Sequence, residues 1–306
     1  MLKVGFIYDD IFLEHAPPPW HPERKERLVR ILNSLKTSGL LDRLLLIKPR
    51  RATFDDIALV HTPAYIDMIR NFAGECLDLD TFVSGRSLES ALYAAGSLLE
   101  AVDRCEAGEI KRAFCAVRPP GHHAEADMGM GFCIFNNIAI GARYALKIGF
   151  RKVFIIDFDA HHGNGTQHVF EESDTVFFFS THQYPFYPES GKDLERGKGK
   201  GEGYTYNVPI LKGSGNRDYL YIYQDILPDL IRRFAPEIIL VSAGYDIHAQ
   251  DPHANMRVTD EGIRGIIRSI LTILPCPVVF TLEGGYELHA LEDSVRITIE
   301  EMLKEK

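Results

Sequence analysis

The chain has 306 residues, 45% of them hydrophobic and 25% charged, with a formal net charge of −9. This is globular composition, and the length can bury a large core as one α/β domain. An acidic balance without a dense Lys/Arg block excludes nucleic acid as an obligate partner, because such binding rests on phosphate neutralisation, and only weakly favours cationic substrates.

In chain order, short β-branched and aromatic runs predict strands at 3–8, 43–48, 112–117, 152–159, 175–182, 204–210, 237–244 and 277–285. Between them, residues 22–38, 86–107, 136–149, 216–234, 259–274 and 287–304 carry apolar positions at helical spacing. Strands apolar on both faces are those covered by helices on both sides. The expected fold is therefore a three-layer α/β/α domain spanning 1–306, with a central, mostly parallel sheet. The start "MLKVGFIYDD" meets two aspartates too early for a signal peptide, and no apolar run approaches the roughly 20 residues of a membrane span. The five cysteines never form C-x-x-C and read as buried thiols of a reducing compartment, so a cytoplasmic chain without a membrane partner is expected. The Gly/Lys-rich stretch 191–203 reads as an exposed loop.

Chemistry collects where strands end. "VFIIDFDAHHGNG" (153–165) puts two aspartates and two histidines after an apolar run, with "GNG" as a turn signal. Side-chain alternation sets Asp157, Asp159 and His161 on one face. Three other strands run into "RPPGHH" (118–123), "YDIHAQDPH" (245–253) and Tyr286. Ligands of open α/β sheets bind at such carboxyl ends. Asp159 and His161 form a compact two-ligand unit that Asp246 could complete; with Zn²⁺ this set is formally neutral and keeps an open coordination position. Taken alone, Asp246 would be a turn aspartate. Of His122 and His123, one could take a proton from an attacking water while a carboxylate such as Asp157 holds the other. Tyr286, after two glycines, could reach a developing oxyanion. Metal, base and oxyanion donor together specify metal-assisted hydrolysis of a carbonyl derivative.

"RPPGHHA", "GFCIFNN", "IIDFDAHHGNGTQ", "SAGYD" and "LEGGY" resemble the signature motifs of the zinc-dependent histone deacetylase superfamily, which includes acetylpolyamine amidohydrolases. The resemblance runs from "HPER" (21–24) to "LEGGY" (282–286), and "HHGNGTQ" and "LEGGY" look closer to the class II branch. It implies one zinc on Asp159, His161 and Asp246, His123 as general base, His122 as its electrostatic partner backed by Asp157, and Tyr286 polarising the acyl carbonyl. Asn164 stands where class I members have a second aspartate, which leaves His123 less readily protonated. Gly131 and Phe132 match one wall of the family's acyl channel, and Tyr187 stands where phenylalanine is usual on the other. Arg27 matches an arginine of the inner acetate cavity, and Asp80, with Asp78 as rival, matches a rim aspartate that grips substrate backbone. Structural K⁺ or Na⁺ is implied at an inner site (Asp157, Asp159, His161, Ser180, Thr181) and an outer one (Phe170, Ser173, Val176, Tyr204). His253, after Asp-Pro, replaces the leucine of protein deacetylases and the glutamate of polyamine deacetylases. Broad amide substrates without a strong polyamine preference are expected, with weaker use of cationic ones below neutral pH.

Arginase-like enzymes share the Asp-Ala-His pattern, but their second metal needs an aspartate where this chain has Gly163. The expected substrates are acetylated lysine side chains or, as the alternative, small acetylated amines such as polyamines. An inactive acyl-lysine binding module would be marked by loss of Tyr286, a ligand or both histidines, and a purely structural protein would not need the cluster.

Overall fold

A computed structural model describes residues 3–304. Among them one sheet holds eight strands: β1 (Lys3–Ile7), β2 (Leu45–Ile47), β3 (Ile110–Cys115), β4 (Val153–Asp157), β5 (Val176–Gln183), β6 (Thr205–Ile210), β7 (Ile238–Ala243) and β8 (Val278–Leu282). Their spatial order is β2-β1-β3-β8-β7-β4-β5-β6. Every neighbouring pair is parallel, so the sheet is more uniform than the mostly parallel one expected. The central strands "VFIID", "IILVSA" and "VVFTL" are buried at every residue, which explains their unbroken apolar runs.

Helices cover both faces. Glu26–Thr37, Leu288–Met302, Asp260–Thr272 and Asn216–Tyr221 pack successively in one layer, and Ser87–Glu106 packs against Asn137–Ile148 in another. The predicted helix 216–234 is divided: a π-helical stretch, Ile222–Ile226, separates Asn216–Tyr221 from Leu227–Phe234. Pro228, at the start of the second piece, has no N–H for the regular ladder, and a widened turn absorbs that gap. A smaller apolar cluster around Tyr65, Ile66, Leu92 and Phe135 lies beside the main core. Within it the Tyr65 hydroxyl donates to the Ile134 carbonyl at 2.7 Å. No helix of the described residues is long and apolar enough to cross a membrane.

One sequence expectation, the burial of all five cysteines, needs correction. Cys105, Cys115 and Cys133 are buried, but Cys76 is exposed and Cys276 partly so. The 191–203 stretch is mostly exposed, as expected, and is tied to the domain where the Gly191 carbonyl accepts from His182 Nε2 at 2.8 Å and Glu195 accepts from Gln167 Nε2 at 2.7 Å.

The order of strands decides where chemistry can assemble. The chain leaves β4 toward β5 and leaves β7 toward β8, in opposite directions, which opens a crevice between adjacent β4 and β7. β3, β8, β7 and β4 are consecutive neighbours, so the four strand ends picked out by sequence lie side by side.

Candidate active site

Asp159 and His161 follow β4, and Asp246 follows β7, across that crevice. Their ligand atoms all lie within 4.8 Å of one another, in the one group with such geometry among the described residues. His161 Nδ1 faces Asp159 Oδ1 at 3.1 Å and Asp246 Oδ2 at 2.9 Å. Backbone amides aim the carboxylates: His161 N–H donates to Asp159 Oδ1 (2.9 Å), Gly284 N–H to Asp159 Oδ2 (2.8 Å) and Ala160 N–H to Asp246 Oδ1 (2.9 Å). A Cβ on Gly284 would stand 2.5 Å from Asp159 Oδ2, so only glycine lets this backbone come close enough to donate.

His122 and His123 are both buried, with ring centroids 4.0 Å apart. The turn that carries them is fastened by the "FNN" motif: Asn136 Nδ2 donates to the Ala124 carbonyl at 3.1 Å, and Asn137 Nδ2 to the Pro119 carbonyl at 3.1 Å. Asn136 also caps the helix Asn137–Ile148 by accepting from Ala139 N–H. Glu283 completes the fastening by accepting from the Gly121 and His122 amides at 2.7 and 3.2 Å. Sequence reading passed over Glu283; the signal was its place directly before the two glycines of "LEGGY".

The two imidazoles sit in opposite electrostatic surroundings. His122 Nδ1 is 2.9 Å from Asp157 Oδ2, whereas His123 Nδ1 is 2.8 Å from Asn164 Oδ1. Burial alone would lower His122, but Asp157 and Asp159 outweigh it and raise the ring to about 10. His123 is held well below the usual histidine range by burial, then by His122 and His161. The Asn164 amide cannot be turned round, because its Nδ2 donates to Glu125 Oε1 at 2.6 Å. Its oxygen therefore faces His123, whose Nδ1 must carry the proton, which leaves Nε2 as the basic nitrogen. Glu125 in turn holds His168 at 2.9 Å, a partner that sequence pattern did not reveal.

Tyr286 follows β8, and burial keeps its phenol well above 10, hence protonated. Its backbone N–H donates to Asp251 Oδ2 at 2.5 Å, and Asp251 Oδ1 accepts from His253 N–H at 2.9 Å. His253 is exposed, but its ring lies 4.6 Å from that of Tyr286, so it does not simply point into solvent. Burial, opposed by Asp251, lowers its ionisation below the ordinary value. The Arg27 guanidinium stacks 5.0 Å from the Tyr286 ring and donates to the Gly285 and Glu283 carbonyls at 2.7 and 2.5 Å. Arg27 and Arg118 share the fully buried Glu23.

Gly131, Phe132 and Tyr187 surround the approach to His123. Gly131 has φ +54°, and a Cβ there would stand 2.5 Å from the His123 ring. Phe132 meets Tyr286 edge-on at 5.9 Å, and Tyr187 meets His123 edge-on at 5.2 Å. Phe186, which the sequence did not single out, stacks on His161 at 5.0 Å. On the rim Asp78 Oδ1 accepts from the amides of Asp80 and Thr81 at 3.0 and 2.6 Å, so Asp78 shapes the loop. Burial and Asp78 raise the Asp80 carboxyl.

The residues assigned to cation sites form two groups. Asp157 and Ser180 are register partners on β4 and β5, next to Asp159, His161 and Thr181. Phe170, Ser173, Val176 and Tyr204 gather around the start of β5: Ser173 N–H donates to the Phe170 carbonyl and Val176 N–H to Ser173 Oγ. Phe178 N–H donates to the Tyr204 carbonyl.

The family model described as "Histone deacetylase domain" matches residues 21–302. The chain belongs to the histone deacetylase family. A protein of Archaeoglobus fulgidus named "Probable deacetylase" is 38% identical, over 94% of this chain and 82% of its own length. The human "Polyamine deacetylase HDAC10" is 36% identical over 99% of this chain, which spans 47% of that relative. The crystal structure of the HDA15 HD domain superposes with a TM-score of 0.94 at 35% identity, covering 99% of this chain and 91% of that one. The three-layer fold is thus that of the histone deacetylases, and this family member is a hydrolytic deacetylase.

Proposed function

We propose that the chain is a zinc-dependent amidohydrolase that removes acetyl or related acyl groups from the ε-amine of lysine. The observation that carries this reading is the Asp159–His161–Asp246 group set beside two buried histidines, one bonded to the Asp157 carboxylate and the other to the Asn164 amide oxygen. Two carboxylates and an imidazole within 4.8 Å suit one Zn²⁺ in charge and donor type. When bound, zinc supplies Lewis acidity toward a carbonyl oxygen and makes water a better nucleophile at neutral pH.

The chain's own residues account for the remaining chemistry. The Gly131, Phe132 and Tyr187 walls hold the acyl-lysine stem. Neutral His123 accepts the attacking water's proton at Nε2 as the new C–O bond forms. Cationic His122, kept charged by Asp157, and the Tyr286 hydroxyl stabilise the oxyanion that develops. Breakage of the C–N bond releases the amine, which takes up the proton held by His123, and acetate. Arg27, each of whose three guanidinium nitrogens donates to a backbone carbonyl or to Glu23, acts by bracing the Tyr286 loop beside the space left to acetate. Asp80 is better suited than Asp78 to hold substrate backbone, since Asp78 is engaged within its own loop.

A monovalent cation, K⁺ or Na⁺, is proposed beside Asp157 and Ser180. His182 Nε2 points at the Gly191 carbonyl (2.8 Å) and so carries its proton. His182 Nδ1 then accepts from Ser180 Oγ (2.8 Å), which leaves that oxygen's lone pairs for a cation. A second reading, deacetylation of small amines, is supported by likeness to the human polyamine deacetylase. Parallel kcat/KM measurements on acetyl-lysine peptides and acetylated polyamines test the choice. Turnover of peptides, abolished by chelation and restored by Zn²⁺, is expected; turnover confined to polyamines, or unaffected by chelation, would reverse it.

A further inference from the structure

The stretch "PPPW" (17–20) has no part in the chemistry above. His21 N–H donates to the Pro18 carbonyl at 2.9 Å, which makes Pro18–His21 a tight turn with Pro19 and Trp20 at its centre. Consecutive prolines leave the backbone before Trp20 little freedom. Even so, the indole is 72% exposed. A large aromatic held rigidly in water is what binding surfaces use as an anchor, because little entropy is lost when something covers it.

Trp20 is connected to the active site by an unbroken run of ring contacts. Tyr286 meets Phe132 at 5.9 Å, Phe132 meets His21 at 4.5 Å, His21 meets Phe82 at 5.4 Å, and Phe82 meets Trp20 at 5.6 Å, all edge-on. Buried His21 also bonds the Asp80 carbonyl through Nε2 at 3.0 Å, and Thr81 Oγ1 accepts from Phe132 N–H at 3.0 Å. The turn that presents Trp20 is thereby fastened to the loop that carries Asp78 and Asp80.

Resting on the lysine-deacetylase reading, we propose that Trp20 and the adjacent Asp78–Asp80 loop form a rim subsite for a cationic side chain, arginine or lysine, near the acylated lysine of a peptide substrate. The indole face offers a cation–π contact, and the loop carboxylates add the matching charge. A peptide, whose lysine branches from its main chain, must run across the rim. At about 3.4 Å per residue it covers the ring steps from Phe132 to Trp20 within about five residues. A linear acetylated polyamine instead continues straight out of the channel.

The test compares wild type, Trp20→Ala and Trp20→Phe on acetyl-lysine peptides carrying Arg, Ala or Glu at successive flanking positions, with capped acetyl-lysine amide as the reference substrate. At one or more positions the wild type should prefer Arg over Ala and disfavour Glu. In Trp20→Ala the Arg:Ala ratio of kcat/KM should fall about three- to five-fold, through KM. Trp20→Phe should keep most of the preference. An Arg:Ala ratio that is the same in wild type and Trp20→Ala overturns the subsite, as does a change confined to acetylspermidine. Wild-type protein that turns over acetylspermidine but no acetyl-lysine compound overturns the underlying reading instead, a result obtained before any variant is compared.

Discussion

The floor of the site and its rim are built on opposite principles. On the floor, both oxygens of Asp157, Asp159 and Glu283, and Oδ1 of Asp246, accept a hydrogen bond from a backbone amide, an imidazole or a hydroxyl. On the rim, Trp20, Tyr187 and His253 are exposed and are held by ring contacts and turn geometry. Buried charge is tolerated only when it is paired and hydrogen-bonded, so the floor leaves no freedom to its side chains. Rim residues carry no such penalty. The difference implies that floor substitutions act on the chemical step by large factors, while rim substitutions redistribute substrate preference by small ones.

The largest effect should come from the floor. Asp246→Ala removes one carboxylate of the metal group and also the acceptor for Ala160 N–H. Deacetylation and tightly held metal should vanish together, measured by turnover and elemental analysis with circular dichroism as the check on folding. Full metal content and activity in this variant would move the metal elsewhere. Tyr286→Phe should keep the metal, because the ring and its backbone bond to Asp251 are retained. Its kcat should fall by about 10²–10³, as for a lost oxyanion donor.

The contrast between the histidines can be tested by pH. His123 lies below its ordinary value, so the acidic limb that it sets in kcat/KM should fall below pH ~6.5. A carboxylate behind it would raise its pKa, and activity would then be lost at higher pH as the base protonates. Asn164→Asp, combined with Glu125→Gln to keep two carboxylates from abutting, should move that limb upward by about one unit. An unmoved limb would take His123 out of the base role. The smallest effect belongs to the rim. His253→Glu should raise kcat/KM for acetylated polyamines relative to a neutral acetyl-lysine substrate by about two- to five-fold, the size of one solvent-screened charge contact. An equal change on both would show that His253 acts through Tyr286 rather than on the substrate's charge.

The legibility of these regions in sequence follows the same division. Asp157, Asp159 and His161 could be read because of their short spacing. However, β4 ends at Asp157, and a bend rather than strand alternation brings them together, held by Asp159 N–H on Asp157 Oδ1 and His161 N–H on Asp159 Oδ1. The apolar runs marked the strand ends that collect His122, His123, Asp246 and Tyr286. The helix Asn164–Phe170 was hidden because "GNG" is also ordinary turn chemistry, and packing against β5 rather than local propensity decides for helix. Glu23 was only partly legible: Arg27 stands four residues on, but its other partners, Arg118 and His15, come from a distant strand end and a separate turn.

Sequence by itself determined the apolar strand runs and the residue types at four strand ends, because these depend on residue type and on neighbours a few residues apart. Tertiary structure decided that β4 and β7 adjoin, so that Asp246 meets Asp159 and His161. It also decided that Glu125 orients Asn164 and that Trp20 stands at the end of an aromatic run from Tyr286. Strand order, the charge around a buried ring and the exposure of an indole depend on residues far apart in the chain, and only the packed fold brings those residues together.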